Sequence, residues 1–152
     1  PKEETGRETI GVQRFTSTKS QSLIGINGRN IEWINLVASS TQYGTHYFLD
    51  FQVDSPNLDI RKPKKTRLKK SALVRKSKNM PLTWVGDESF ATSLRLNYKL
   101  EELIQYSEFD GSLEIVPEPK HGCTRIRIPY TLPSAELFEA IDVIAGHVKS
   151  EF

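Results

Sequence analysis

A strand and a helix follow one another in residues 124–148, TRIRIPYTLPSAELFEAIDVIAGHV. Residues 125–128 alternate arginine with isoleucine, which is the period-two pattern of a half-buried β-strand. Further on, Pro133 and Ser134 suit the start of a helix. Apolar residues then recur at helical spacing, at Leu137, Ile141, Ile144, Ala145 and Val148. The stretch therefore predicts a strand followed by an amphipathic helix over residues 133–149.

Further strands with one apolar face are predicted before this stretch. Residues 31–38 follow the turn dipeptide Asn27-Gly28 and are rich in β-branched and aromatic side chains. Residues 47–54 alternate apolar with polar side chains, so they should pair with 31–38 and turn one face to the core and the other to water. Residues 112–116 alternate as well, and we expect them to form a hairpin with 124–130.

Shorter elements complete the predicted fold. Leu58–Ile60 is a short strand candidate, 93–98 alternates like another strand, and 99–107 has leucine and isoleucine at helical spacing. We therefore expect an α+β fold, in which the C-terminal amphipathic helix and the short helix cover one face of an antiparallel sheet. The antiparallel strands are expected within residues 31–60, 91–98 and 112–130.

The length of 152 residues predicts one domain with one hydrophobic core. We place this α+β domain at residues 23–152 and interpret the polar residues 1–22 as a linker or mobile N-terminal segment. The chain opens at Pro1 without an initiator methionine, which suggests a piece of a longer polypeptide. It contains no run of about 18 apolar residues, so no segment is predicted to span a membrane.

Residues 61–78 hold ten basic side chains and no acidic one. The whole chain has 21 basic and 19 acidic residues, which leaves 11 basic against 19 acidic elsewhere, a net charge of −8. Because like charges repel, such a cluster is either a solvated loop or a surface that a polyanion neutralises. The stretch begins at Arg61, and the candidate anion-binding residues are Lys62, Lys64, Lys65, Arg67, Lys69, Lys70, Arg75, Lys76 and Lys78.

An anionic membrane surface is the first candidate partner, because each lysine or arginine near an anionic leaflet contributes about 1 kcal/mol. Nucleic acid is the second candidate. Residues 61–78 contain no aromatic side chain on which a base could stack, so nucleic-acid binding would be non-specific and salt-dependent. A third hypothesis is internal neutralisation by the surplus of acidic residues in the rest of the chain.

The sequence contains no recognised catalytic or metal-binding pattern. The three histidines are too far apart for a zinc motif, and His121 with Cys123 supplies only half of a metal site. Asp50 and Asp54 share the outward face of a strand, where carboxylates ordinarily solubilise the protein. Asp87-Glu88 is typical of a turn in which the aspartate bonds to backbone nitrogen. We therefore expect no catalytic residue, no metal and no cofactor.

Two arginines, Arg125 and Arg127, alternate with isoleucine and are predicted to lie on the outward face of their strand. With Arg95 they could form a small anion-binding patch. Exposed decoration of the sheet is the simpler interpretation, because charged side chains on a strand usually face water.

The segment Gly86-Asp87-Glu88-Ser89-Phe90 begins an ordered series of patterns. A Gly-Asp-x-x-Phe turn precedes an alternating strand, a short leucine-rich helix, two further strands and a terminal apolar helix. In this order, residues 23–148 resemble the soluble domain of uncharacterised prokaryotic membrane-tethered proteins. The resemblance implies a compact α+β domain preceded by transmembrane helices, with no established activity. Ala91, where an acidic residue often follows the phenylalanine, and the long basic stretch depart from that pattern.

These observations predict a non-enzymatic soluble domain of a membrane-tethered protein, on the cytoplasmic side, with a basic loop at 61–78 near an anionic surface. The alternative is a non-specific nucleic-acid-binding domain, and the third hypothesis is an enzyme whose site is assembled from scattered residues. The sequence gives no indication of the oligomeric state.

Overall fold

The computed structural model describes residues 3–4, 17–69 and 82–152. Within these ranges the chain forms an eight-stranded sheet and four α-helices, with a short 3-10 helix at Pro119–His121. The strands are β1 (Glu3–Glu4), β2 (Ser17–Gly25), β3 (Trp33–Thr41), β4 (Gly44–Asp54), β5 (Thr66–Leu68), β6 (Trp84–Val85), β7 (Glu114–Glu118) and β8 (Cys123–Pro129). The helices are α1 (Leu58–Arg61), α2 (Glu88–Arg95), α3 (Tyr98–Tyr106) and α4 (Ala135–Glu151).

The two halves of the chain meet in the middle of the sheet. The strand order is β1-β2-β3-β4-β8-β7-β5-β6, and the neighbouring strands in this order are antiparallel. β2, β3 and β4 form a meander, and β4 then pairs with β8, which places Phe51 opposite Ile126. The predicted pairing of 31–38 with 47–54 and the predicted hairpin of 112–116 with 124–130 are both confirmed.

The core lies between one face of this sheet and the helices. Phe51 and Ile126 project from the central strands toward α4, and α2 and α3 pack beside α4. The buried residues of α4 form the stripe that the period predicted, at Leu137, Ala140, Ile141, Ile144, Ala145 and Val148. The helix starts where expected, because Ser134 Oγ accepts a hydrogen bond from Leu137 N at 3.1 Å. The predicted α+β fold, with an antiparallel sheet, a C-terminal helix and a short helix, is therefore confirmed.

Leu58–Ile60 is helical, so the strand predicted there is wrong. The Asn57 carbonyl accepts a hydrogen bond from Ile60 N at 3.1 Å, which closes a helical turn. Leu58 is buried, whereas Asp59 and Ile60 are both exposed. One inward residue followed by two outward ones fits a helix on the surface and does not fit the alternation of a strand.

The strand predicted over residues 91–98 is also wrong, because α2 occupies most of this range. The buried side chains of α2 are Phe90, Ala91 and Leu94, which lie on one face of a helix. Leu94 and Leu96 suggested an alternating strand, but Leu96 follows the helix and is 68% exposed. Packing of Phe90 in the core therefore decides the local structure.

Ser17–Ser22 lies in β2, so the linker predicted over residues 1–22 is wrong for these residues. Ser20 lies opposite Val37 of β3, and its Oγ donates a hydrogen bond to Asn35 Oδ1 at 2.5 Å. The hydroxyl-rich sequence has no apolar alternation, and the strand is held by backbone pairing, which every residue except proline can make. Glu3 and Glu4 form β1, so the predicted linker is wrong for them as well. Residues 1–2 and 5–16 of the predicted linker lie outside the described residues.

Candidate functional site

We call residues 61–69 the basic segment. It runs from the end of α1 into β5, where Thr66 and Leu68 are buried and Arg67 faces outward. The loop predicted over residues 61–78 is therefore wrong for the strand residues of β5. All six basic side chains of the segment are exposed: Arg61, Lys62, Lys64, Lys65, Arg67 and Lys69. The other predicted anion-binding residues lie outside the described residues: Lys70, Arg75, Lys76 and Lys78.

Within residues 3–4, 17–69 and 82–152, intramolecular ion pairing neutralises one of these six cations. Lys65 Nζ lies 3.1 Å from Glu114 Oε2, and both side chains are partly exposed. The other five cations of the basic segment make no ion pair within the part of the chain that the structure describes. Arg67 lies opposite Glu114 in the pairing of β5 with β7, but that carboxylate is taken by Lys65. Most of the positive charge therefore faces solvent.

Asp87 holds the basic segment against the start of α2. Its Oδ2 accepts a hydrogen bond from Lys64 N at 3.0 Å, and its Oδ1 accepts one from Phe90 N at 3.1 Å. Its own backbone N–H donates to Thr66 Oγ1 at 3.1 Å. The prediction that Asp87 bonds to backbone nitrogen is confirmed. The hydrogen bond from Lys64 N to the same carboxylate was not predicted, because it joins residues far apart in the chain.

Gly86 lets the turn approach the basic segment closely. Its φ is 140°, and a Cβ added there would lie 2.0 Å from the Lys65 carbonyl oxygen. No side chain fits in that space, and the backbone conformation itself disfavours other residues. Gly86 and Asp87 therefore hold the backbone of the basic segment against the start of α2. This contact gives the first two residues of the Gly-Asp-x-x-Phe segment a structural role.

Apolar side chains lie beside these cations at the surface. Ile60 directly precedes Arg61 and is 82% exposed. Val85 lies opposite Arg67 in the pairing of β5 with β6 and is 39% exposed. The surface of the basic segment is therefore both cationic and partly apolar.

A second cluster of charged residues lies on the central strands, on the face of the sheet opposite the hydrophobic core. Asp50 is fully buried and receives two hydrogen bonds from Arg127, from Nε to Oδ1 at 2.6 Å and from Nη2 to Oδ2 at 2.7 Å. Arg125 Nη1 lies 3.4 Å from Asp50 Oδ2, and its Nη2 donates to Glu118 Oε1 at 2.5 Å. We call Asp50, Glu118, Arg125 and Arg127 the buried charge cluster.

The pairing of β4 with β8 creates this cluster, because it places Asp50 opposite Arg127. Burial alone would lower the pKa of the Arg127 guanidinium, but its hydrogen bonds and its attraction to Asp50 outweigh burial and raise the pKa. The cluster holds two carboxylates and two guanidinium groups, so its formal charge is balanced. It neutralises itself and offers no excess charge to an external anion.

The predicted positions of these residues need correction. Asp50, expected to face water, is inaccessible, and Arg125 is only 8% exposed. The proposed anion patch with Arg95 does not form, because Arg95 belongs to α2 in the helical layer on the other side of the sheet. The alternating sequence pattern correctly placed Asp50, Arg125 and Arg127 on the face of the sheet opposite the core. Water does not reach Asp50 on that face, however.

The cysteine and histidine candidates do not assemble a metal or nucleophilic site. Burial, followed by the nearby charge of Glu118, raises the pKa of the Cys123 thiol from 9.0 to about 11, which keeps it protonated at neutral pH. His121 is exposed. In residues 3–4, 17–69 and 82–152, no three metal-ligating side chains are grouped so that they could hold an ion.

A small cavity of about 160 Å³ lies between the end of α1, the start of α2 and the end of α4. It is smaller than the pockets of about 300–1,000 Å³ that usually bind small molecules. Its lining carries one cation and two carboxylates, so it favours neither an anionic nor a cationic ligand clearly. The residues are Arg61, Pro63, Asp87, Ser89, Phe90, Glu151 and Phe152.

Comparison of the chain with family models, curated proteins and solved structures found no match. Roles for individual residues therefore rest on the geometry above. Among the described helices, none is both long and apolar enough to cross a bilayer.

Proposed function

We propose that this chain is a non-enzymatic domain of a membrane-tethered protein and that its basic segment binds the anionic surface of the bilayer. The observation that carries this proposal is that the basic segment has many exposed cations and few ion pairs within the described chain. Six exposed cations lie within residues 61–69, and only Lys65 has an ion-pair partner within the described chain. Gathering like charges costs free energy, which an external polyanion can offset.

The amount of charge suffices for a measurable interaction. Each lysine or arginine near an anionic leaflet contributes about 1 kcal/mol, so the five unpaired cations supply a few kcal/mol even when only some reach the headgroups. Because Asp87 and Gly86 fix the segment on the domain, little backbone freedom is lost on binding.

The exposed Ile60 favours a lipid surface over nucleic acid as the polyanion. An aliphatic side chain beside Arg61 and Lys62 can enter the boundary between headgroups and acyl chains. The basic segment contains no aromatic side chain that could stack on a base. Non-specific nucleic-acid binding is therefore the alternative against which the proposal is tested.

Tethering and the cytoplasmic side belong to the same proposal. Tethering rests on the resemblance of residues 23–148 to soluble domains of prokaryotic membrane-tethered proteins. The cytoplasmic side follows from physical chemistry, because cationic segments close to a membrane are enriched on that side and the cytoplasmic leaflet carries anionic lipids.

The experiment is co-sedimentation with phosphatidylcholine vesicles prepared with and without phosphatidylserine, beside titration of a duplex oligonucleotide. The double variant Lys62→Gln/Lys64→Gln should bind phosphatidylserine vesicles about 30-fold more weakly, because two interfacial cations are removed. The matched control is Lys120→Glu, which lowers the net charge equally at an exposed site in the 3-10 helix.

Equal weakening in both variants would mean that only the net charge matters, and the assignment to the basic segment would be wrong. Binding to the duplex without binding to phosphatidylserine vesicles would replace the lipid proposal by the nucleic-acid alternative. Binding to neither would remove the proposed function altogether.

A further inference from the structure

The junction between α2 and α3 presents exposed apolar side chains between exposed cations. We call residues 95–99 the helical corner. Leu96 is 68% exposed and Tyr98 is 79% exposed. Arg95 and Lys99 flank them, are exposed, and make no ion pair within the described chain. The corner thus has the order cation, leucine, asparagine, tyrosine, cation, with no acidic residue.

Asn97 anchors the corner while its neighbours face outward. Its Oδ1 accepts a hydrogen bond from Leu100 N at 3.1 Å and so caps the start of α3. Its Nδ2 lies 2.9 Å from His147 Nε2 on α4, and since the amide nitrogen can only donate, the histidine nitrogen accepts. The exposed pair Leu96 and Tyr98 is therefore held on a fixed framework and is not part of a free loop.

Single exposed apolar residues are common on protein surfaces and need no explanation. Two of them within three residues, held rigidly and flanked by unpaired cations, are a more specific combination. A tyrosine has an apolar ring and a polar hydroxyl, which suits the boundary between headgroups and acyl chains. The flanking arginine and lysine complement anionic headgroups, and their long apolar stems can lie along the lipid while the charges stay hydrated.

The helical corner lies close to the basic segment in the fold. Asp87, which caps the start of α2, binds Lys64 of the basic segment, whereas the corner begins at the last residue of α2. The eight residues of α2 span roughly 12 Å at the helical rise per residue. Along α2, the corner therefore lies roughly 12 Å from the contact that fixes the basic segment.

We infer that the helical corner is a second contact with the same anionic bilayer surface, at which Leu96 and the ring of Tyr98 insert between the headgroups. This inference rests on the proposed function, since the basic segment supplies most of the attraction. The helical corner adds a contribution to membrane binding that salt does not screen, because burial of apolar area depends little on ionic strength.

The first experiment measures insertion directly. A polarity-sensitive fluorophore is attached to Leu96→Cys, and its emission should shift to the blue on vesicles containing phosphatidylserine and remain unchanged with phosphatidylcholine alone. The matched control is the same fluorophore on Tyr43→Cys. Tyr43 is 85% exposed in the hairpin turn between β3 and β4, and its neighbours Gln42 and Gly44 carry no charge.

The second experiment measures the contribution to binding. Leu96→Ser/Tyr98→Ser should weaken partition onto phosphatidylserine vesicles about tenfold, because the apolar area of two side chains no longer leaves water. The control Tyr43→Ser/Leu132→Ser removes one tyrosine and one leucine that are 85% and 89% exposed elsewhere. It should bind like the unaltered chain, and circular dichroism should show that both variants fold.

The outcomes separate this inference from the proposed function. If Lys62→Gln/Lys64→Gln binds weakly but the fluorophore at position 96 does not shift, the corner does not insert, while the basic segment keeps its role. If both apolar double variants bind equally well, the corner contributes nothing and the inference is wrong. If the unaltered chain does not bind phosphatidylserine vesicles, both proposals fail together.

Discussion

The basic segment and the buried charge cluster differ in what becomes of their positive charge. In the buried charge cluster, Arg125 and Arg127 are both paired with carboxylates, and Asp50 between them is fully buried. In the basic segment, six cations are exposed and one of them, Lys65, has an ion-pair partner within the described chain. The fold therefore neutralises one set of charges internally and leaves most of the other set available.

Strand position explains the difference. Arg125 and Arg127 lie on β8, whose partner β4 places Asp50 opposite Arg127. β5 is short, and of its three residues only Arg67 is basic and outward. Charge in the middle of the sheet is expensive to bury and is therefore paired, whereas charge near the edge stays hydrated without a partner.

The largest expected effect is loss of the buried carboxylate. Asp50→Ala should lower the free energy of unfolding by about 3–5 kcal/mol, because the buried Arg125 and the partly buried Arg127 would keep their charges without this shared carboxylate. Urea unfolding followed by circular dichroism measures this. Asp54→Ala is the matched control on the same strand and face; since Asp54 is exposed, its effect should stay within about 0.5 kcal/mol.

The double variant Asp50→Leu/Arg127→Met should recover part of the lost stability, because both charges of that pair are then absent. Equal stability of Asp50→Ala and Asp54→Ala would contradict the comparison, since it would mean that water reaches Asp50 and that the buried cluster is as hydrated as the basic segment.

The next effect concerns the backbone that supports the basic segment. Gly86→Ala should cost roughly 2–3 kcal/mol, because the added Cβ would meet the Lys65 carbonyl oxygen at 2.0 Å. Gly28→Ala is the control: its φ is also positive, at 75°, but nothing lies within 4 Å of the added Cβ. Only the left-handed backbone then opposes the change, at about 1 kcal/mol. Similar urea midpoints for the two variants would show that the close approach carries no strain.

The sequence predicted most of what depends on local periodicity. The stripe from Leu137 to Val148 is long enough to define α4, and the alternation in 47–54 and 124–130 identifies β4 and β8. It failed at α2, because Leu94 and Leu96 also alternate. What decides between helix and strand there is the burial of Phe90 against Phe152, a contact between residues far apart in the sequence.

The two charged regions were predictable to different degrees. Composition alone identified the basic segment, because a run of like charge is visible without a structure. The buried charge cluster depends on the register between β4 and β8, and nothing local to Asp50 indicates that Arg127 lies opposite it. The sequence pattern did place Asp50, Arg125 and Arg127 on the same face of the sheet. That placement suggested that all three are exposed, whereas they pair with one another.

A thiol beside the buried charge cluster should make the stability of the protein depend on pH. Cys123 lies on β8 with the arginines, and its thiol pKa is raised from 9.0 to about 11, first by burial and then by Glu118. Below pH 9 the thiol is protonated in both states. Between 9 and 11 the unfolded chain loses a proton that the folded chain keeps, so stability should fall, by about 3 kcal/mol in total.

Cys123→Ala removes this titration, so the difference between the two unfolding curves isolates it from the lysines and tyrosines that titrate in the same range. Free energies of unfolding measured every half unit of pH should therefore diverge above pH 9. Parallel curves for the cysteine and alanine forms would mean that the thiol is not shielded in the folded chain.

The smallest effect on stability, and the most direct test of the exposed cations, comes from replacing three exposed lysines, Lys64, Lys65 and Lys69, by glutamine. Surface substitutions usually cost under about 0.5 kcal/mol each, and the exposed pair of Lys65 with Glu114 adds little. Binding to phosphatidylserine vesicles should nevertheless fall. Its dependence on salt should flatten, because electrostatic attraction is the part of binding that ions screen.

A large drop in melting temperature with unchanged binding would mean that these lysines pair with the chain's own acids. The basic segment would then resemble the buried charge cluster, because a charged region that is neutralised internally contributes to folding and not to recognition.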